Sequence, residues 1–164
     1  MRKIALALLP IVLLACATQK TTSITGAHTI MNECPTQGTC TFEVLKDKSL
    51  VIKTNLGKPY YEVADAPGKM VVKYTYNKTK NPAYQDDFYS EEIIFETDNE
   101  LSNLKDKTTA IPVYFNAKCF CRGKAGTYKV DNAQVSLKDN QLHIALPATI
   151  VDNQLLKNID VSFK

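Results

Sequence analysis

The feature that most constrains this chain is an alternation of apolar and polar side chains that recurs from residue 41 almost to its end. Because successive side chains of a β-strand point to opposite faces, a period of two indicates strands with one buried face. The apolar residues that would share a strand face are Met70, Val72, Tyr74, Tyr76; Tyr89, Ile93, Phe95; Val113, Phe115, Ala117, Cys119, Cys121; Tyr128, Val130; Val135, Leu137; Leu142, Ile144, Leu146; and Ile159, Val161, Phe163. The pattern predicts a chain built almost wholly of β-strands.

Residues that favour turns separate these runs. The predicted turns are 46–49 (between strands at 41–45 and 50–54), 55–59, 65–68, 122–123 and 138–140. Only Asp98 to Lys105 offers a helical turn or two, with Asp98 as a possible cap. The sequence shows no internal repeat and no second-domain boundary. We therefore predict one all-β domain over residues 34–164, an antiparallel sandwich or barrel of about eight to ten short strands.

The first sixteen residues have the organisation of an export signal. Arg2 and Lys3 precede an apolar run from Ile4 to Leu14, which is shorter than the roughly 20 residues that span a bilayer. The run ends in Leu13-Leu14-Ala15-Cys16. This ending resembles the lipobox of bacterial lipoproteins, in which an aliphatic residue, a small or apolar residue and a small residue precede the lipidated cysteine. The resemblance implies that residues 1–15 are a signal peptide and that Cys16 is acylated and inserts into the lipid bilayer.

Residues 16–33 are rich in Thr, Ser, Gln and Lys and show no apolar period. We predict that they form the lipidated N-terminus and a flexible tether. In Gram-negative bacteria, Asp directly after the lipidated cysteine favours retention in the inner membrane, whereas this chain has Ala17. By resemblance to lipoprotein sorting signals, we predict a cell-envelope location on the periplasmic leaflet of the outer membrane.

The charge balance excludes one class of partner. The chain has 20 basic and 17 acidic residues, and two of the basic ones, Arg2 and Lys3, belong to the signal. The mature chain is therefore close to neutral. Nucleic-acid-binding proteins carry basic patches, so we do not expect a nucleic-acid partner.

Four cysteines follow Cys16 in the mature chain. Five residues that include Pro and Gly separate Cys34 from Cys40, so a local disulfide is stereochemically easy there. Cys119 and Cys121, if both lay on one strand, would be about 6.5–7 Å apart, at the edge of what a disulfide spans. The less distorted alternative pairs each of them with Cys34 or Cys40, and all three connectivities stay open. We interpret the four as structural disulfides, with a thiol or metal protein as the alternative.

The sequence offers little chemistry for catalysis. His28 falls in the predicted tether, and His143 lies on the face opposite Leu142 and Ile144. Glu91 falls on an apolar face, where a carboxylate could act as an acid, although pairing with a lysine accounts for it equally well. No nucleophile-elbow, HExxH or phosphate-loop motif is present in the sequence. We predict a non-enzymatic protein with no metal and no cofactor.

Two connections are the best candidates for binding loops, because loops on a rigid scaffold carry most recognition. The first runs from Asn77 to Phe88, and the second is the segment 119–128. Their candidate contact residues are Tyr84, Asp86, Asp87, Arg122 and Lys124. As a whole, the mature chain resembles the small β-rich lipoproteins of the Gram-negative envelope. We predict a membrane-anchored, non-catalytic binding or accessory module for an envelope protein or component, with a β-barrel carrier of an apolar ligand as the alternative.

Overall fold

The computed structural model describes residues 27–105 and 111–164 and places nine strands in them. The strands are β1 (His28–Ile30), β2 (Gly38–Asn55), β3 (Lys58–Lys78), β4 (Tyr89–Asp98), β5 (Val113–Cys119), β6 (Gly126–Val130), β7 (Gln134–Lys138), β8 (Gln141–Ala145) and β9 (Asn158–Phe163). The predicted signal peptide and Cys16 lie outside the described residues. Nowhere in residues 27–105 and 111–164 is there a helix that is long and apolar enough to cross a membrane.

The strands form two antiparallel sheets. A small sheet has the order β1-β9-β8-β7, and a large sheet has the order β2-β3-β4-β5-β6. The apolar faces found from the sequence meet in one core, which includes Phe42, Met70, Val72, Tyr74, Ile93, Phe95, Phe115, Val135, Leu142, Ile144, Ile159 and Val161. The all-β prediction is confirmed. Of its two alternatives, the described strands form an open sandwich whose interior is filled by side chains, and not a closed barrel.

The strands β2 and β3 are far longer than predicted, with 18 and 21 residues. The predicted turns at 46–49 and 65–68 are wrong, because β2 and β3 run through both segments. A register shift between Lys46 and Lys48 forms a bulge, and Asp47 and Gly68 have φ of 55° and 83°. A bulge bends a strand pair without ending it. Beyond this bend, residues 48–55 and 58–65 form a two-stranded extension, which we call the arm.

The arm folds back over the outer face of the large sheet. The hydroxyl of Tyr61 donates a hydrogen bond to the Glu92 carboxylate. Ser49 Oγ and the Leu50 amide donate to Glu96 at 2.6 and 2.9 Å. Strand β3 also contacts β6, although two strands separate them in the sheet. The molecule therefore has three layers, namely the small sheet, the large sheet and the arm.

The third layer changes the environment of the face that the sequence marks as polar. Val71 and Ile94 lie on this outer face and are completely buried. Ser90 and Glu92, which lie on the face of β4 opposite Ile93 and Phe95, are buried as well. The alternation identifies the two faces of β3 and β4 correctly, but here both faces are covered.

Part of the predicted tether is a strand of the small sheet. The three residues of β1, His28 to Ile30, pair with the end of β9, and Ile30 packs against the core. The Asn32 side chain donates to the Asp160 carboxylate at 2.9 Å. The folded domain thus begins before Cys34, and the predicted boundary at residue 33 is too late. A three-residue edge strand is too short to show a period in the sequence.

The segment expected to form a helical turn contains turns but no helix. Asp98 acts as the predicted cap: its carboxylate accepts hydrogen bonds from the amides of Glu100, Ser102 and Asn103 at 2.9–3.2 Å. Leu101 has a φ of 51°, a left-handed conformation that cannot continue a helix. The turns direct Leu101 and Leu104 into the core.

These hydrogen bonds give a pH-dependent prediction. Burial raises the pKa of Asp98, but the hydrogen bonds from Ser102, Asn103 and Glu100 outweigh it and hold the pKa below the ordinary 3.8. Because the folded-state pKa is depressed, the stabilisation is present above pH 3.8 and is lost as the pH falls through the lower folded-state value. Asp98→Asn should therefore lower the free energy of unfolding by about 1–2 kcal/mol at neutral pH and by much less at an acid pH below the depressed folded-state pKa. Urea unfolding at both pH values checks this, with the exposed Asp86→Asn as the control. An equal loss at both pH values would contradict it.

Candidate functional site

Three connecting segments meet at one end of the large sheet. At this end β2 begins, β3 ends, β4 begins, β5 ends and β6 begins. The connecting segments 31–37, 79–88 and 120–125 therefore emerge together, and we call this region the loop end. Both predicted binding loops lie at it, although the 30 residues 89–118 separate them in the sequence.

The arm brings a fourth segment to the loop end. From the bend at Asp47 the arm returns along the sheet, contacting first Glu96 and then Glu92. Its residues 58–61 line a surface opening together with Lys118, Gly126 and Thr127. The arm ends in a two-residue turn, in which Leu56 and Gly57 have φ of 49° and 75°, the positive values that a type I′ hairpin turn requires.

Large apolar side chains project into solvent at the loop end. Leu56 is 96% exposed, Phe120 79%, Tyr84 68% and Tyr60 39%. They come from the arm, the 120–125 segment and the 79–88 loop. Single exposed apolar residues are common on protein surfaces, but several large ones gathered from separate segments indicate an interaction site.

The 79–88 loop is held by one of its predicted contact residues. The Asp87 carboxylate accepts hydrogen bonds from Lys78 Nζ and from the Asn81 amide. The lysine, and then the amide, lower the pKa of Asp87. Asp87 therefore shapes the loop, whereas Tyr84 and Asp86 are exposed and available to a partner.

The 120–125 segment is a compact turn. The amides of Lys124 and Ala125 donate to the Cys121 carbonyl at 3.3 and 3.5 Å, and Tyr128 Oη donates to the Lys124 carbonyl at 3.0 Å. Gly123 has a φ of 80°, which confirms the predicted turn. The Arg122 side chain is exposed.

The loop end carries cations without acidic partners. In the described part of the chain, Lys58, Arg122 and Lys124 form no ion pair with a carboxylate. Lys118 is already engaged by the buried Glu92 at 3.3 Å. The exposed Leu56 and Phe120 are thus close in the sequence to unpaired positive charge.

The four mature-domain cysteines form two local disulfides, Cys34–Cys40 and Cys119–Cys121. Of the three connectivities that the sequence left open, the structure therefore has the one with both bonds local, and not the less distorted alternative in which Cys119 and Cys121 pair with the N-terminal cysteines. That alternative assumed that Cys119 and Cys121 lie on one strand, but β5 ends at Cys119. Beyond the strand the backbone turns, and the Cα atoms of Cys119 and Cys121 are 5.2 Å apart, within the range that a disulfide spans.

Glu91 occupies a buried position on the core face of β4, as the alternation predicts. Its carboxylate accepts hydrogen bonds from the amides of Leu155 and Leu156 at 2.7–3.0 Å and from the Tyr89 hydroxyl at 2.5 Å. Burial and this hydrogen bond raise the pKa of Tyr89 well above its ordinary value, so the hydroxyl stays a donor. Glu91 thus fastens the chain before β9 to the large sheet, and its acceptor sites are occupied by protein groups.

The histidines make separate contacts. The ring of His28 lies edge-on to Phe42, with centroids 5.0 Å apart. His143 lies on the outer face of β8, where Nδ1 is 2.6 Å from the Asp160 carboxylate. Within residues 27–105 and 111–164, no three His, Cys, Asp or Glu side chains are grouped so as to hold a metal ion.

The sequence indicated the two loops and Tyr84 but not Leu56 and Phe120, the two most exposed apolar residues at this end of the molecule. Leu56 lies inside a segment with turn chemistry, and Phe120 lies between two cysteines and out of phase with the core face. The sequence signal that could have identified both residues is an apolar side chain at a position where burial is not expected.

No protein-family model matches the chain, and neither a curated protein nor a solved structure shows significant similarity to it.

Proposed function

We propose that this chain is a lipid-anchored protein of the bacterial cell envelope whose β domain binds another envelope protein without catalysing a reaction. The lipobox-like Leu13-Leu14-Ala15-Cys16 supports the anchor. The observation that carries the binding role is the gathering of Leu56, Tyr84 and Phe120 at the loop end, where each is more than two-thirds exposed.

The side chains at the loop end indicate what kind of surface the partner protein has. Aromatic and large aliphatic side chains at the centre of an interface supply most of the binding free energy. Cations around them attract a surface of opposite charge and raise the rate of encounter. We therefore infer a partner protein with an apolar patch bordered by carboxylates. Lys58, Arg122 and Lys124 would face those carboxylates.

A carrier of an apolar ligand is the less supported alternative. Such a carrier needs a cavity, as ligand sites generally do. The space between the two sheets is instead filled by buried side chains such as Phe95, Phe115 and Met70.

Affinity purification of the full-length lipidated protein from detergent-solubilised envelopes tests the proposal. We expect one envelope protein to copurify in stoichiometric amount and to fall about tenfold with the double charge reversal Arg122→Glu, Lys124→Glu. The matched control is Lys138→Glu, Lys164→Glu, which reverses two exposed lysines of the small-sheet side. Equal recovery with both double variants, or a bound lipid in place of a protein, would overturn the proposal.

The anchor has its own prediction. Cys16→Ser removes the thiol that accepts the diacylglycerol group, so the precursor should stay uncleaved and carry no acyl chains. Mass spectrometry of the full-length variant and the wild type, each expressed in a Gram-negative host, measures both changes. Acylation of the variant at the wild-type level would contradict the proposal that the chain is a lipoprotein.

A further inference from the structure

The two disulfides occupy different surroundings. Cys34 and Cys40 pack against the hydrophobic core. Their bond closes a loop with a sequence separation of 6 between the end of the N-terminal segment and the start of β2. Cys119 and Cys121 have a sequence separation of only 2, and Cys121 lies outside any strand. The stabilisation that a disulfide provides by constraining the unfolded chain grows with the length of the loop it closes. We therefore expect Cys119–Cys121 to stabilise the fold less than Cys34–Cys40 does.

The surroundings of Cys119–Cys121 favour thiol–disulfide exchange. Phe120, the residue between the two cysteines, is 79% exposed, so a partner can reach this turn. Arg122 directly follows Cys121, Lys124 is two residues further on, and neither forms an ion pair within the described residues. No acidic residue occurs in the sequence between Asn116 and Val130. Neighbouring cations stabilise a thiolate, and a stable thiolate is a good leaving group in disulfide exchange.

We propose that Cys119–Cys121 is an exchangeable disulfide that oxidises a dithiol of a partner protein, whereas Cys34–Cys40 is a structural staple. The exposed Phe120 supplies apolar contact with the partner chain around its cysteines. This inference needs only a dithiol substrate and does not depend on the binding role proposed above.

The exchange proceeds in two steps. A thiolate of the substrate attacks Cys119 Sγ, the bond between Cys119 and Cys121 breaks, and Cys121 leaves as a thiolate beside Arg122. The second substrate thiolate then attacks the substrate sulfur of this mixed disulfide and releases Cys119. The substrate dithiol loses two electrons and becomes a disulfide. The protein disulfide gains these electrons, and two protons pass from the substrate thiols to the cysteines.

The test is a redox titration of the full-length lipidated protein in detergent with mixtures of reduced and oxidised glutathione. Acid quenching, alkylation and peptide mapping then report each cysteine pair separately. We expect Cys119–Cys121 to be half reduced at a value of [GSH]²/[GSSG] about tenfold or more below that for Cys34–Cys40, while the melting temperature is unchanged. The double variant Arg122→Gln, Lys124→Gln should slow the exchange of Cys119–Cys121 with glutathione several-fold. The matched control, the double variant Lys138→Gln, Lys164→Gln, should not slow it.

Two results would overturn the inference. One is reduction of both disulfides at the same ratio. The other is a Cys119–Cys121 bond that resists glutathione until the domain unfolds. Neither result bears on the copurifying partner, so the failure of this inference is distinguishable from the failure of the binding role.

Discussion

Glu91→Ala should lower the free energy of unfolding by about 3–5 kcal/mol, because it leaves buried donors without an acceptor. The Glu91 carboxylate is fully buried and accepts hydrogen bonds from two backbone amides and the Tyr89 hydroxyl. Alanine offers none of these donors a partner and also leaves a cavity. For a domain of this size such a loss is a large part of the total stability.

The substitution Glu91→Gln separates lost hydrogen bonds from lost volume. Glutamine keeps the shape and one carbonyl acceptor, so we expect a smaller loss, about 1–2 kcal/mol. The exposed control is Glu43→Ala, which removes only a surface ion pair with Lys73 and should cost about 1 kcal/mol or less. Urea unfolding with both disulfides intact measures all three. A loss below about 1 kcal/mol for Glu91→Ala would show that the amides of Leu155 and Leu156 do not depend on this carboxylate.

Ile94→Ala should cost about 2–5 kcal/mol, although the residue lies on the face of β4 that points away from the core. Ile94 is completely buried there beneath the arm. If the outer face of the large sheet were open to solvent, the same substitution would change stability by about 0.5 kcal/mol or less. The size of the effect therefore tests directly whether the arm is a third layer.

Hydrogen exchange of the Ile94→Ala variant provides a second test of the contact between the arm and the large sheet. The Leu50 amide is bonded to the Glu96 carboxylate across the arm–sheet contact, so its exchange should accelerate when Ile94 is truncated and the arm opens more often. The amide of Leu156, held by Glu91 on the other side of the sheet, is the internal control. Equal acceleration of both amides would indicate global unfolding, and no acceleration of either would contradict the contact.

The period-two pattern predicted the core well because each strand of the sandwich faces the core with one side. It failed where the burial of a residue depends on tertiary contacts that are not local. Val71 and Ile94 interrupt a polar face in the sequence, yet nothing local shows that the arm covers them. Similarly, Asp47 and Gly68 have the chemistry of a turn, and a bulge uses the same left-handed conformations.

The sequence predicted only part of the candidate site, because the rest of the site again depends on contacts that are not local. Turn chemistry and loop length indicated the 77–88 and 119–128 segments, but only the strand register places both at one end of the large sheet. The arm tip with Leu56 reaches that end because of the bend at Asp47. The pairing of Cys119 and Cys121 stayed open because the sequence does not show that β5 ends at Cys119, and strand ends are the least certain part of a sequence prediction.

The loop end is the proposed binding surface of this protein, and site-specific photo-crosslinking in living cells tests that role most directly. A photoreactive residue would replace Leu56, Tyr84 or Phe120 in the full-length lipidated protein, or His143 and Lys138 on the small sheet as controls. We predict that all three loop-end positions give an adduct with the same envelope protein and that neither control position does. Adducts from the small sheet with none from the loop end would contradict the account.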